Sequence, residues 1–127
     1  MTEALDRDDQ APLFQIGEVA ERVGLSLRTI RYYEEIGMVV PSARTEGGFR
    51  LYRLDDVRRL EMAKALKPTG ISLDDLGEIL GLAEKESLSA SERRRLRQLI
   101  GAVRERIARL RMRIDVASDV VERLGQR

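Results

Sequence analysis

Cysteine and histidine are both absent from this 127-residue sequence. Their absence excludes disulfides, thiolate redox chemistry and metal sites built from thiolate or imidazole ligands. It also removes histidine, the commonest general base in enzymes. No nucleophile–base pair or phosphate-binding loop is visible in the rest of the chain. We therefore predict a protein that is not an enzyme and that needs no metal or other cofactor.

Long hydrophobic runs are also absent. No stretch of about 18 apolar residues occurs, which excludes a predicted transmembrane helix. The first thirteen residues, MTEALDRDDQAPL, are acidic and lack the apolar centre of a signal peptide. We interpret residues 1–13 as a mobile acidic tail and predict a cytoplasmic protein without a membrane partner.

Aromatic residues make up only 4% of the chain, whereas charged residues make up 35%. This combination is typical of long exposed helices. The net charge is only +1, but the positive charge is segregated, because residues 91–127 contain eleven arginines and five acidic residues. Segregated charge creates a local field that the net charge does not reveal.

Two short helices are predicted near the start of the chain. The first has apolar residues at helical spacing and ends at Gly24; these residues are Ile16, Val19, Ala20 and Val23. The second begins after Ser26, a favourable N-cap, and ends at Gly37. Its inward positions are Leu27, Ile30 and either Tyr33 or Glu34. Two short helices joined by a tight turn form a helix-turn-helix.

The second helix has an unusual outer face, formed by Arg28, Arg31, Tyr32 and Glu35. In a helix-turn-helix the second helix enters the DNA major groove, where arginine contacts guanine or phosphate. An alternative is an ordinary surface helix on which Arg31 pairs with Glu34 or Glu35. The stretch alone leaves both interpretations open.

A short β-hairpin is predicted after this helix. Val39 and Val40 are β-branched, Pro41 interrupts the run, and Gly47-Gly48 is a turn signal. The basic residues beyond the turn make the hairpin similar to a wing that contacts DNA phosphates. In the alternative, Arg50 is only solvated and Tyr52 packs inward.

Three further helices follow the hairpin. One begins near Leu54 and breaks at Pro68, and another begins at Ser72. The last helix, residues 92–124, has apolar residues at alternating steps of four and three, the period of a coiled coil. They are Leu96, Ile100, Val103, Ile107, Leu110, Ile114, Ala117, Val121 and Leu124. This stripe predicts a homodimer, because it is longer than a head of about 70 residues can cover.

Residues 14–82 strongly resemble the DNA-binding domain of MerR-family transcription regulators. The resemblance is carried by IGEVAERVGLSLRTIRYYEEIGMV, RTEGGFRLY and DDVRRLEMAKALKPTGISLDDL. It implies a mainly α fold with a winged helix-turn-helix head at 14–82, a connector at 83–91 and an antiparallel coiled-coil dimerisation helix at 92–124. The implied function is sequence-specific regulation of transcription by a homodimer bound to an inverted-repeat operator. The dimer would distort promoter DNA so that RNA polymerase can engage it.

The resemblance also implies which residues contact double-stranded DNA. On the second helix they are Arg28, Thr29, Arg31 and Tyr32. On the wing they are Arg44, Arg50 and Tyr52, and near the end of the third helix they are Lys64 and Lys67. The implied dimer contacts are Leu96, Ile100, Val103, Ile107, Leu110, Ile114 and Val121.

The sequence lacks the features with which members of this family sense a signal. Metal-sensing and redox members use cysteines, which this chain lacks, and drug-sensing members add a C-terminal effector-binding domain. Only Gly125, Gln126 and Arg127 follow the predicted helix, so we expect a short form without that domain. An alternative is an effector-free repressor or architectural DNA-binding protein controlled by a protein partner. A less favoured alternative is a coiled-coil adaptor that binds proteins through its head.

Overall fold

The computed structural model of the protein describes residues 12–127, so most of the predicted acidic tail lies outside the described residues. The described chain is mainly helical and contains one small sheet. Its elements are β1 Phe14–Gln15, α1 Ile16–Val23, α2 Leu27–Glu35, β2 Ala43–Arg44, β3 Arg50–Tyr52, α3 Leu54–Leu66, a 3-10 turn Lys67–Thr69, α4 Leu73–Ala83 and α5 Ala90–Gly125. This order confirms the predicted winged helix-turn-helix followed by one long helix.

The chain divides into two compact units, with the boundary between Ala65 and Leu66. The first unit contains the sheet and helices α1 to α3. The second contains α4 and α5. The sequence prediction instead grouped α4 with the head, because the family resemblance extends to residue 82.

Glycine and serine set the limits of the helix-turn-helix. The backbone N–H of Gly24 donates to the carbonyl of Ala20 (2.8 Å) with a φ of +77°, which closes α1 and turns the chain. The Ser26 side chain then accepts from the backbone N–H of Thr29 (3.0 Å), so Ser26 is the N-cap of α2 as predicted. Gly37, also with a φ of +77°, follows the end of α2.

The wing belongs to a three-stranded antiparallel sheet with the strand order β1-β3-β2. Ala43 pairs with Leu51 across the hairpin, and the predicted turn at Gly47-Gly48 forms its tip. The strand β1 was not predicted. Its two residues are too few to show a period, and it exists because Phe14 pairs with Tyr52, far along the chain.

Apolar residues from β1, β3, the three helices and the segment after α2 form the core of the first unit. They are Phe14, Val19, Val23, Ile30, Tyr33, Met38, Val39, Tyr52, Val57, Leu60 and Ala63. The prediction that Ile30 faces inward is confirmed, and of the two alternatives Tyr33 and Glu34 it is Tyr33 that is buried. Leu27, also predicted to face inward, is exposed because it lies in the first turn of α2, before the helix reaches the core. Ala63 and not Met62 completes the buried stripe of α3.

In the second unit α4 packs against the first third of α5. The buried residues are Ile71, Leu76, Ile79, Leu80, Leu99 and Val103. Arg95 also joins the two helices, since its Nη2 donates to Glu78 Oε1 (3.1 Å). The helix α5 begins at Ala90, two residues earlier than predicted. Ser89 and Glu92 cap it reciprocally, in a capping box that satisfies two backbone donors.

The predicted heptad stripe is only partly covered within one chain. Leu99, which the stripe omits, is buried against α4, whereas Ile100 is exposed. Every residue from Arg111 to Arg127 is exposed. Ile114, Val121 and Leu124 keep 63%, 67% and 61% of their accessible surface. The second half of α5 therefore presents an apolar stripe to solvent. None of the helices between residues 12 and 127 is long and apolar enough to cross a membrane.

Candidate nucleic-acid interface

The outer face of α2 carries two arginines and a tyrosine. Arg28, Arg31 and Tyr32 are all exposed, while Ile30 and Tyr33 anchor the opposite side of the helix in the core. Residues three and four apart share one face of a helix, so Arg28, Arg31 and Tyr32 project from the same side. The fold therefore displays two cations and one aromatic ring on a rigid element.

Arg28 and Arg31 form no hydrogen bond or ion pair with any residue in the described range 12–127. The alternative interpretation of this helix required pairs between Arg31 and Glu34 or Glu35, and neither pair is present in that range. The Glu34 carboxylate is instead directed to the wing. Both guanidinium groups thus keep their full set of donors for an external acceptor.

Thr29 and Tyr32 are more restricted than the arginines. The Thr29 hydroxyl lies 2.9 Å from the Ser26 hydroxyl, so it takes part in the capping of α2. The Tyr32 ring is tilted against the buried Tyr33, with 6.1 Å between the ring centroids. This contact orients the Tyr32 ring, and the residue is still 46% exposed.

The wing arginines converge on one carboxylate. Arg50 Nε donates to Glu34 Oε2 (2.6 Å), and Arg44 Nη2 donates to Glu34 Oε1 (3.4 Å). The hydrogen bond and the charge of Glu34 raise the pKa of Arg50. Arg44 Nη1 also donates to the carbonyl of Gly48 (3.1 Å). The wing is thereby tied to α2 through side chains as well as through the sheet.

Tyr52 differs from the prediction of a DNA contact. Its side chain is 0% exposed and its hydroxyl donates to Glu34 Oε2 (2.9 Å). Burial, followed by this hydrogen bond, raises the pKa of Tyr52. Tyr52 and Arg50 are two residues apart on β3, so they share one face of the sheet, where the Glu34 carboxylate accepts from both. Tyr52 is a packing residue, and we leave it out of the proposed interface.

The two predicted lysines already have acceptors within the protein. Lys64 Nζ donates to the carbonyl of Val23 (2.8 Å), at the end of α1. Lys67 Nζ donates to the carbonyl of Ile71 (2.9 Å), in the second unit. Each ammonium group has three hydrogens, so two remain on each lysine for a further acceptor. Lys64 belongs to the same compact unit as α2 and the wing, whereas Lys67 does not.

Residues 14–82 match the model of the MerR HTH family regulatory proteins, which covers more than half of the chain. The chain belongs to the MerR family of DNA-binding transcription regulators. The matched segment of this MerR-family chain runs from β1 to α4 and contains every predicted DNA contact.

Individual relatives agree with this assignment. The mercuric resistance operon regulatory protein of Bacillus cereus is 37% identical over 73 residues, which are 58% of this chain and 55% of the relative. This MerR-family chain therefore matches only about half of that protein's length. The transcriptional regulator ZntR of Escherichia coli K12 is 35% identical over 103 residues, 80% of this chain and 69% of ZntR.

Among solved structures, HiNmlR shares the fold with a TM-score of 0.70. The alignment covers 87% of this chain and 86% of HiNmlR at 22% sequence identity. HiNmlR is described as a MerR family regulator lacking the sensor domain, bound to promoter DNA. At this identity the likeness concerns the fold alone.

Two features of the interface were missed by the sequence analysis of this MerR-family chain. Glu34 was considered only as an inward position or a partner of Arg31, because its actual partners lie 10, 16 and 18 residues away. Phe49 was assigned no role, yet it is 67% exposed beside the wing tip. A large exposed apolar residue within GGFR was a local signal that could have identified it.

Proposed function

We propose that this MerR-family protein acts as a homodimer that binds an inverted-repeat operator in promoter DNA and regulates transcription by distorting that DNA. The observation that carries the proposal is the pair Arg28 and Arg31 on the exposed face of α2, neither of which bonds to another side chain among residues 12–127. The fold holds both on a rigid helix whose other side is anchored in the core. Guanidinium groups presented on a rigid helix suit bidentate contacts to guanine or phosphate.

The wing supplies the second part of the proposed interface. Arg44 and Arg50 are cations on a hairpin in the same compact unit as α2. Phosphate contacts position a protein on DNA, while contacts to base edges give specificity. We therefore assign sequence discrimination to α2 and backbone contacts to the wing, with Lys64 and Lys67 as further backbone contacts.

Dimerisation is supported by the second half of α5. Exposed Ile114, Val121 and Leu124 continue the heptad of the buried and half-buried residues before them. A seam of this period is covered when a second helix packs against it. A second copy of the chain is the simplest occupant, because the same stripe on two antiparallel helices is self-complementary.

A twofold dimer predicts the form of the operator. Two heads related by a twofold axis recognise two inverted half-sites, and their spacing reflects the separation of the two α2 helices. Promoter DNA that must bend or untwist to meet both heads is selected partly by its deformability. A protein that distorts a promoter in this way would act together with RNA polymerase. Its site of action would be the nucleoid in the cytoplasm.

The proposal is tested with purified full-length protein and a randomised duplex library. We expect enrichment of an inverted repeat, with an affinity that falls steeply as the salt concentration rises, because phosphate binding releases counterions. Enrichment of no common sequence, or binding that is independent of salt, would favour the adaptor alternative over a DNA-binding regulator.

A further inference from the structure

Glu34 holds three donors from the wing at once. Its Oε2 accepts from Arg50 Nε (2.6 Å) and from the Tyr52 hydroxyl (2.9 Å), and its Oε1 accepts from Arg44 Nη2 (3.4 Å). The side chain is only 15% exposed, so water screens these bonds less than it would at the surface. Glu34 lies on α2, one residue beyond the Tyr32-Tyr33 pair.

We propose that Glu34 is a specificity-determining positioning residue, which fixes the wing arginines relative to α2 and so increases the discrimination between operator and other DNA. This inference rests on the proposed function, because it assumes that α2 and the wing contact DNA together. It assigns to an acidic residue a role in an interface otherwise built from cations.

The geometry of Arg50 leaves its outer donors available. Glu34 binds the Nε of Arg50, so Nη1 and Nη2 can still form a forked contact with a phosphate. Arg44 is held at both terminal nitrogens, by Glu34 and by the carbonyl of Gly48. Both side chains are therefore ordered before DNA arrives, and less conformational freedom is lost when they bind.

The negative charge of Glu34 has an opposite effect on unspecific binding. A carboxylate beside the wing repels phosphates, and this repulsion acts on any duplex. The benefit of ordered arginines appears only in a complex with fixed register, where each phosphate has a definite place. Glu34 therefore lowers the affinity for unspecific DNA. In the operator complex the ordering of the arginines offsets the repulsion, so the ratio of operator to unspecific affinity increases.

Three variants separate charge from geometry. Glu34→Gln removes the charge and introduces an amide NH2 that faces arginine donors. Glu34→Asp keeps the charge, but its shorter side chain cannot reach all three wing donors. Glu35→Gln is the matched control, because Glu35 is an exposed neighbour on the same helix and forms no ion pair with a residue in the described range 12–127.

The assay compares the library-selected duplex with a scrambled duplex of the same length and composition. For Glu34→Gln and Glu34→Asp we expect the ratio of operator affinity to scrambled-duplex affinity to fall about fivefold or more. A change of about fivefold is the lower end of what the ordering of two long side chains contributes to binding. Glu35→Gln should strengthen both duplexes equally. A Glu34→Gln ratio equal to that of Glu35→Gln, or an unchanged ratio in Glu34→Asp, would overturn the inference.

Hydrogen exchange of the free protein gives a readout that needs no DNA. The amides of residues 43–52 should lose protection in both Glu34 variants and keep it in Glu35→Gln, whereas the amides of α1 should be unchanged in all three. Equal protection of the wing in every variant would overturn the inference even if the wild-type protein selected no duplex. A wild type without sequence preference, combined with the expected loss of protection, would instead contradict the proposed function.

Discussion

Ile114→Asp should abolish dimerisation without unfolding the individual chain. Ile114 is 63% exposed in one chain, so most of its surface has no partner from its own unit. Ile107, by contrast, lies in the same stripe but is already half-buried by its own chain. A charge at position 114 therefore acts almost entirely on the partner helix.

The magnitude follows from the burial that the dimer would add. Covering one isoleucine side chain contributes about 1.5–3 kcal/mol, and the twofold dimer contains two copies, so the loss is about 3–6 kcal/mol. Burying an aspartate in the seam adds a desolvation penalty of its own. A loss of about 3 kcal/mol already weakens dimerisation more than a hundredfold. The variant should be monomeric at micromolar concentrations.

Sedimentation equilibrium measures this change directly. The matched control is Ala108→Asp, which introduces the same side chain on the opposite, exposed face of α5 and should remain dimeric. Circular dichroism should show that both variants retain their helices. If Ile114→Asp and Ala108→Asp have the same mass as the wild type, the exposed stripe does not form the dimer seam.

Three further predictions concern the wing, the cap of α5 and the absence of a cofactor. Arg50→Ala should weaken both operator and scrambled duplexes, with the larger loss on the operator, and should lower the salt slope by about one unit, measured by titration at several salt concentrations. Hydrogen bonds from Lys85 and from the backbone of Ser89 lower the pKa of Glu92 to about 2. This stabilisation is present above the unfolded value of about 4.3 and is lost as the pH falls toward 2. The melting temperature of Glu92→Gln should therefore lie below that of the wild type at pH 6, and the difference should shrink between pH 4.3 and 2. Metal-stripped, ligand-free protein should bind its operator, and added zinc, copper or metabolites should change the affinity less than about tenfold.

Much of the head could be predicted from local patterns. The spacing of Val19 and Val23, the cap at Ser26 and the glycines at 24 and 37 are interactions between near neighbours, and sequence reasoning recovers these well. The burial of Ile30 followed from the same period, which left the next inward position open between Tyr33 and Glu34. The outward position of Arg28 and Arg31 was then a necessary consequence.

What could not be predicted depends on contacts that are distant in sequence. Tyr52 is a residue type that often contacts DNA from a wing. Its burial becomes visible only from the pairing of β3 with β1 and from the hydrogen bond between Tyr52 and Glu34. Leu99 escaped the heptad pattern, because steps of four and three select positions 96, 100 and 103, whereas Leu99 is buried in the second unit, where α4 packs against α5. The split after Ala65 also arises from packing and has no sharp signal in composition.

Arg31 on α2 is proposed to contact DNA and to help select the operator. The most direct test of this proposal is the affinity of Arg31→Ala and Arg31→Lys for the selected and scrambled duplexes, with melting curves for both proteins. Arg31→Ala should lose about 1–3 kcal/mol of operator affinity with an unchanged melting temperature. Arg31→Lys should restore binding to the scrambled duplex but not the full operator affinity, since lysine keeps the charge and lacks the forked donors. Equal operator affinity in the wild type and Arg31→Ala would contradict the account.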